Sequence, residues 1–168
     1  VCEALHVLVH EGESDKASRV FSTTFMDFEK AERQGKLKES AYKSSFFFEK
    51  LCHAMAAAYY LQAIRLAGKK APDWILPQDL TEIGKELCNK ALAAVDLLFS
   101  KVARQDLSES YFVFRTMLIE MNAAFLLGLW ERADDVAQML MDSHPIEREV
   151  AEYIIARGER SQTLLENL

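Results

Sequence analysis

The sequence FVFRTMLIEMNAAFLLGLWERADDVAQMLMDSHP, at residues 112–145, decides the fold. The part before Gly128 is apolar on nearly every side, which is typical of a helix sandwiched between neighbours. Gly128 predicts the end of that helix, because glycine readily takes the left-handed conformation that closes helices. Residues 131–143 form an amphipathic segment, and Pro145 suits the first turn of a following helix. The stretch therefore predicts a helical hairpin.

The rest of the chain predicts further helices from apolar spacings of three and four and from glycine ends. They are expected at residues 2–11, 14–34, 37–67, 79–102 and 145–157. Ser14 and Ser108 are predicted helix caps, and Asp79 with Glu82 has the spacing of a capping box. Together with the hairpin and a short final turn, this makes an all-α fold of seven to eight antiparallel helices.

The composition fits one globular domain over residues 1–168. Half of the residues are apolar and 27% are charged. With only six glycines and three prolines, the chain is poor in the turns that an all-β fold needs. Its start at Val1 rather than at methionine is compatible with a segment of a longer helical scaffold.

The charge balance argues against nucleic acid as a partner. The 20 basic residues are outnumbered by 26 acidic ones and are scattered among them, giving a net charge of −6. A duplex-binding surface needs clustered Lys and Arg. The apolar stretch 51–67 is interrupted by His53, Gln62 and Arg65, so we expect a buried helix there and no membrane span.

Cysteines and histidines give little sign of a metal or cofactor. The odd number of cysteines, Cys2, Cys52 and Cys88, favours reduced thiols and an intracellular, reducing compartment such as the cytoplasm or nucleus. Cys2, His6 and His10 share one helical face, but they span about two turns, which is too far for one ion. No phosphate loop, dinucleotide-binding glycine pattern or metalloprotease motif is present.

Two groups keep an enzymatic alternative open. Cys52 and His53 are neighbours, and neighbours on a helix point about 100° apart. Glu120 stands in an otherwise apolar helix, where an isolated charge is costly. We expect it to pair with Arg115 or with a neighbouring helix. The alternative is a helical-bundle enzyme or small-ligand binder with a pocket near Glu120 and His53, but no catalytic residue is assigned.

Aromatic residues are the candidate partner-binding residues. Three consecutive phenylalanines spread over about 200° of a helix, so a helix in a two-layer fold does not easily bury them all. Either the third helix is central, or one of its faces contacts a partner or a second copy of the chain. The candidates are Phe46, Phe47, Phe48, Tyr59, Tyr60 and Trp74.

Residues 127–145 resemble the second half of a tetratricopeptide repeat (TPR). In that family a small residue closes the first helix, as Gly128 would, and an aromatic wedges between the helices, as Trp130 would. An alanine allows close packing, as Ala133 would, and a proline starts the next repeat, as Pro145 would. No second copy follows the expected period of roughly 34 residues.

The resemblance implies a TPR-like array, with an irregular helical bundle as the alternative architecture. It also implies a protein–protein interaction module, a scaffold or adaptor that binds a peptide or a partner helix on a helical groove. That implication rests on analogy between folds.

Overall fold

The computed structural model describes residues 1–36, 41–68, 75–104, 110–143 and 151–153, with side chains from residue 46 onward in the second range. This part of the chain is all-helical and contains no strand, as predicted. Its α-helices are α1 (Cys2–His10), α2 (Ser14–Arg33), α3 (Ala41–Leu66), α4 (Glu82–Phe99), α5 (Tyr111–Leu126) and α6 (Trp130–Ser143). A short 3-10 helix, Pro77–Asp79, precedes α4, and residues 151–153 are helical.

Several predicted features lie outside the described residues. They are Trp74, Ser108, Pro145 and most of the predicted helix at 145–157. None of the described helices combines the length and the apolarity that crossing a membrane requires.

Helix α3 is the centre of the fold, and it contacts α1, α2, α4 and α5. Its middle carries small residues that let neighbouring helices approach closely, and five alanines in it are buried: Ala54, Ala56, Ala57, Ala58 and Ala63. The larger Leu51 and Met55 fill the space between them and are at most 2% exposed. Of the two expectations for this helix, the structure therefore shows the central position.

Helix α5 is sandwiched between neighbours, as its all-round apolar pattern predicted. It packs against α3, α4 and α6. Most of its residues are buried, including Met117, Met121 and Phe125. Because α5 is buried on opposite sides, each of its few polar side chains must either bind a partner inside the protein or lie at the surface.

The start of α4 differs from the prediction. Thr81 is its N-cap, and the Thr81 hydroxyl accepts a hydrogen bond from the backbone N–H of Gly84 at 3.0 Å. Asp79 instead accepts from the backbone N–H of Leu76 at 2.8 Å and stabilises the 3-10 helix. The predicted capping box at Asp79 was therefore wrong for α4, because Asp79 serves the preceding turn.

The starts of α5 and α2 are also shifted. Ser110, two residues after the predicted Ser108, caps α5 and accepts from the N–H of Val113 at 3.4 Å. Ser14 lies in the first turn of α2, and Glu13 occupies the N-cap position without a side-chain cap. Consecutive polar residues offer several caps, and tertiary packing selects among them.

The helix ends that were predicted at glycines are confirmed. Gly128 has φ +74°, and its N–H donates to the carbonyl of Phe125 at 3.0 Å. The next N–H, of Leu129, donates to the carbonyl of Ala124 at 2.9 Å, which completes a Schellman motif. The Trp130 ring lies against Phe125, with centroids 5.5 Å apart. Positive φ also occurs at the other predicted glycine ends, Gly12, Gly35 and Gly68.

Helix α2 is attached differently from the other helices. Among its residues only Ala17 is buried. Two lysines near opposite ends of α2 hold it: Lys90 lies 3.7 Å from Asp15, and Lys101 lies 2.8 Å from Glu29. Between these pairs its half-buried phenylalanines face α3, including Phe25, whose ring centroid is 5.6 Å from that of Phe48. Helix α2 is therefore held by ion pairs near its two ends and by half-buried phenylalanines between them.

We predict that Gly128→Ala lowers the free energy of unfolding by about 1 to 2 kcal/mol, because an L-residue is strained at this φ. Gly128→Asn should lose less, since asparagine tolerates the left-handed region. Urea unfolding of both variants checks the order. Equal stability of the alanine variant and the parent chain would contradict it.

Candidate interaction groove

A groove with a volume of about 380 Å³ lies between α1, α3 and α5. Helices α3 and α5 each contribute four of its lining residues, and α1 contributes one. We call it the α1–α3–α5 groove, and it is lined by His6, His53, Ala57, Tyr60, Leu61, Arg115, Leu118, Ile119 and Asn122.

Helical periodicity explains why these residues meet. On α5 the lining positions are 115, 118, 119 and 122, and on α3 they are 53, 57, 60 and 61. Residues three, four and seven apart share one helical face. Leu118 and Ile119 are buried and supply apolar wall, whereas Arg115 and Asn122 remain half-exposed.

An aromatic rim, defined as Phe46, Tyr111 and Phe112, borders the groove. The Phe112 ring centroid lies 5.1 Å from Phe46, 5.5 Å from Tyr111 and 5.5 Å from the groove residue His53. Phe46 is 46% exposed and Tyr111 is 68% exposed. Leu61, within the groove, is 57% exposed. Exposed apolar side chains therefore occur both on the rim and in the lining of the groove.

Hydrogen bonds fix the tautomer of His53. Its Nδ1 lies 3.1 Å from the Thr116 hydroxyl oxygen. The Thr116 hydroxyl donates its single hydrogen to the carbonyl of Phe112 at 2.6 Å. His53 Nδ1 must therefore donate to Thr116, and in the neutral ring Nε2 carries a lone pair and acts as an acceptor.

His53 is neutral at physiological pH. The pKa of His53 is lowered to about 4, chiefly by burial, and the positive charges of Arg115 and His6 contribute to the same shift. Burial also lowers the pKa of His6. None of the described residues that line the groove carries a carboxylate. The groove thus combines an apolar wall with four polar side chains, those of His6, His53, Arg115 and Asn122.

Glu120 lies on a different side of α5. It is five residues from Arg115, which places the two about 140° apart on the helix. The expected pairing with Arg115 was therefore wrong, and the pairing with neighbouring elements was right. Glu120 is 0% exposed and accepts from Arg132 of α6 at 2.8 Å and from Arg104 after α4 at 2.9 Å. His53 lines the groove, and Glu120 does not.

Arg132 extends this ion network to the surface. Its guanidinium also donates to Asp96 of α4 at 2.5 Å. Burial acts to lower the pKa of Arg132, but the bond to Asp96 and the charge of Glu120 outweigh it and raise the pKa. Arg104 lies over the ring of Phe99, 4.1 Å from its centroid. The network joins α4, α5 and α6.

The structure distributes the predicted partner-binding aromatics over core and surface. Phe48 and Tyr59 are each 3% exposed and belong to the core. Phe47 is partly exposed and packs against Phe28, with centroids 5.9 Å apart. Phe46 joins the rim, and Tyr60 lines the groove. Trp74 lies outside the described residues.

Sequence reasoning missed Arg115, Asn122 and His6 as groove residues. The signal for two of them was present, because Arg115 and Asn122 stand seven apart on one face of an otherwise apolar helix. The position of His6 depends on how α1 packs on α3, which its own sequence does not specify.

Two of the three cysteines belong to the core. Cys52 and Cys88 are buried, and burial raises the pKa of each thiol to about 12, which keeps it protonated. The described residues contain no cluster of three His, Cys, Asp or Glu side chains that could hold a metal ion. Cys2, His6 and His10, which were considered together in the sequence, therefore do not form such a cluster.

Comparison of the chain with protein-family models, with curated proteins and with solved structures finds no match. The similarity of residues 127–145 to a TPR accordingly stays a prediction.

We predict that His53 makes the fold less stable at mildly acidic pH. The unfolded chain binds a proton at His53 below about pH 6.5, whereas the folded chain binds it only near pH 4. The stability contributed by neutral His53 is therefore complete above pH 6.5 and is lost as the pH falls toward 4. Urea unfolding across this window should show a shallower pH dependence for His53→Gln than for the parent chain.

His10→Gln, at an exposed position of α1, is the matched control for the loss of one imidazole. An unchanged pH dependence in His53→Gln would refute the assignment.

We predict that Glu120→Gln lowers the free energy of unfolding by about 2 to 3 kcal/mol, because it removes the charge that two arginines share. Glu82→Gln alters an exposed pair with Lys85 and should cost less than about 1 kcal/mol. Thermal and urea unfolding compare the two. Equal losses in the two variants would show that the buried charge of Glu120 contributes no more to the free energy of unfolding than the exposed charge of Glu82.

Proposed function

We propose that the chain is a protein-interaction module that binds a peptide segment of another protein in the α1–α3–α5 groove. The observation that carries this proposal is the exposed aromatic rim beside the groove, together with exposed Leu61 in its lining. Phe46, Leu61 and Tyr111 are exposed by 46%, 57% and 68%. They adjoin a concave space between three helices.

Physical chemistry favours a protein partner for such a surface. Tyrosine, phenylalanine and arginine are enriched at protein interfaces. Binding energy concentrates where aromatic anchors meet a desolvated pocket. The groove offers both, because half-exposed Arg115 and Tyr60 lie beside the buried wall of Leu118 and Ile119. Side chains of a bound peptide would cover the exposed apolar atoms of Phe46, Leu61 and Tyr111 and release water from them.

A small-molecule ligand in the same groove is the second candidate. The groove volume of about 380 Å³ lies within the range of small-ligand sites. The enzymatic version of this idea has less support, because Glu120 is held by Arg104 and Arg132 away from His53. His53 then has no groove carboxylate as an acid–base partner among the described lining residues.

A random dodecapeptide library, displayed with each peptide fused through its C-terminus to the carrier, tests the proposal. The immobilised chain should enrich a set of related peptides. The variant Leu61→Ala/Tyr111→Ala should bind the best of them at least about ten-fold more weakly, since each truncation removes an anchor. Fluorescence polarisation with the labelled peptide measures the affinity, and the melting temperature should stay unchanged.

Ile83→Ala is the matched control, because Ile83 is 61% exposed on α4 and does not line the groove. It should leave the affinity within about two-fold. The absence of enriched peptides, or enriched peptides that bind the double variant as tightly as the parent chain, would overturn the proposal. Sedimentation at several concentrations separately tests self-association, and a groove covered by a second copy would appear as a dimer.

A further inference from the structure

We infer that the groove recognises a tryptophan of the partner peptide, whose indole N–H donates a hydrogen bond to Nε2 of His53. This inference deepens the proposed function and rests on it. The partner is therefore selected by one neutral hydrogen-bond donor on an aromatic anchor.

Nε2 of His53 is an acceptor that lacks a donor within the described part of the chain. Nδ1 faces α5, where it donates to Thr116, and the Thr116 hydroxyl donates in turn to the carbonyl of Phe112. Nε2 lies on another edge of the ring, and no hydrogen bond joins it to a described residue. Because His53 lines the groove, a ligand that displaces water from Nε2 must supply a donor of its own.

Thr116 makes this acceptor a fixed feature of the groove. Its side chain is fully buried, so the hydroxyl cannot turn to solvent. An imidazole that donates through Nδ1 keeps its lone pair on Nε2 as long as the ring is neutral. The pKa of His53 is lowered to about 4, chiefly by burial, so the ring is neutral at physiological pH. The groove therefore presents a single, constant acceptor at this position.

The surroundings of His53 decide which donor suits it. Burial that disfavours the charged form of His53 also disfavours a lysine or arginine side chain that must lose its water there. Side-chain hydroxyls and amides are neutral, but each carries an acceptor as well as a donor. The indole N–H is a donor only, and it belongs to a large apolar ring. Tryptophan therefore matches one acceptor in a largely apolar groove.

The face of α3 next to His53 has room for an aromatic ring. Ala57 follows His53 by about one helical turn and precedes Leu61 by another, so the three side chains share one face. Ala57 is the smallest of them and leaves space between its two larger neighbours. Phe112 lies 5.5 Å from the His53 ring, within the range of aromatic contacts. An indole over Ala57 would thus have His53 at one end and exposed Leu61 at the other.

The peptides enriched in the library selection provide the first test, and they should share a tryptophan. Replacing that tryptophan by benzothienylalanine keeps the shape of the ring system and exchanges the N–H for a sulfur atom that cannot donate. The replacement should weaken binding to the parent chain about ten-fold, because it leaves Nε2 of His53 without a donor. Fluorescence polarisation measures both peptides.

A double-mutant cycle assigns the lost hydrogen bond to His53. His53→Leu removes the acceptor and leaves the Thr116 hydroxyl bonded to the carbonyl of Phe112. The variant should bind the tryptophan peptide about ten-fold more weakly than the parent chain does, and should bind the two peptides equally. His10→Leu, at an exposed position of α1, is the matched control and should leave both affinities within about two-fold.

Thr116→Val tests Thr116 as a positioning residue. It removes the acceptor of the Nδ1 proton, which is then free to move to Nε2. Heteronuclear NMR of the imidazole nitrogens should show the lone pair on Nε2 alone in the parent chain and a mixture of tautomers in the variant. Binding of the tryptophan peptide should weaken about three-fold, and binding of the benzothienylalanine peptide should not change. These readouts remain decisive if His53→Leu does not fold.

The outcomes separate this inference from the proposed function. Enriched peptides that require Leu61 and Tyr111 but lack tryptophan, or that tolerate benzothienylalanine, would overturn the indole contact and leave the interaction module in place. A benzothienylalanine effect that persists in His53→Leu would overturn the role of His53. No enriched peptide would overturn both proposals. Binding of methylindole alone as tightly as the whole peptide would overturn the peptide and identify a site for a small aromatic ligand.

Discussion

The carboxylate of Glu120 is fully buried, and the packing of α4, α5 and α6 depends on the partners that it requires. A buried carboxylate is tolerated only when it is paired and hydrogen-bonded. Here one partner comes from the turn after α4 and the other from α6, which in turn binds Asp96 of α4. Because each arginine reaches Glu120 from a different element, only one alignment of the three helices satisfies the charge. We attribute the network to this specificity rather than to net stabilisation, since burial of the charges offsets much of their attraction.

The groove follows from the same helix. Glu120 and the two arginines that bind it occupy one side of α5. Another side, which carries Arg115 and Asn122, lines the groove together with α3 and α1. Alanines in the middle of α3 allow α5 and α1 to approach the helix closely. The larger His53 and Tyr60 of α3 line the groove. One short helix therefore carries a buried, paired charge on one side and half-exposed polar residues on another. The proposed peptide site lies on the second of these sides.

Local signals in the sequence predicted the helices well and their contacts poorly. Glycines fixed four helix ends, because the left-handed conformation is a property of the residue itself. Helix starts were less certain, because Asp79 and Thr81 are both good caps and only packing decides between them. The pairing expected between Glu120 and Arg115 ignored their angular separation, which the sequence does contain. The location of the groove was not predictable, since it depends on which helices flank α3. For the same reason the aromatic cluster of α3 could not be divided beforehand into core Phe48 and rim Phe46.

The attachment of α2 has a consequence for the cooperativity of the fold. Its contacts with α3 and α4 include two ion pairs and half-buried phenylalanines that pack on the buried Phe48 and Leu98, and only one of its own residues, Ala17, is buried. Helix α1, which precedes it in the chain, is anchored on α3 through buried Leu5 and Val9 and need not follow. We therefore expect α2 to separate from the domain more readily than α3 or α5, which are buried on several sides. Its backbone amides would exchange with solvent sooner than those of α3 or α5, and ionic strength would set how often the helix is free.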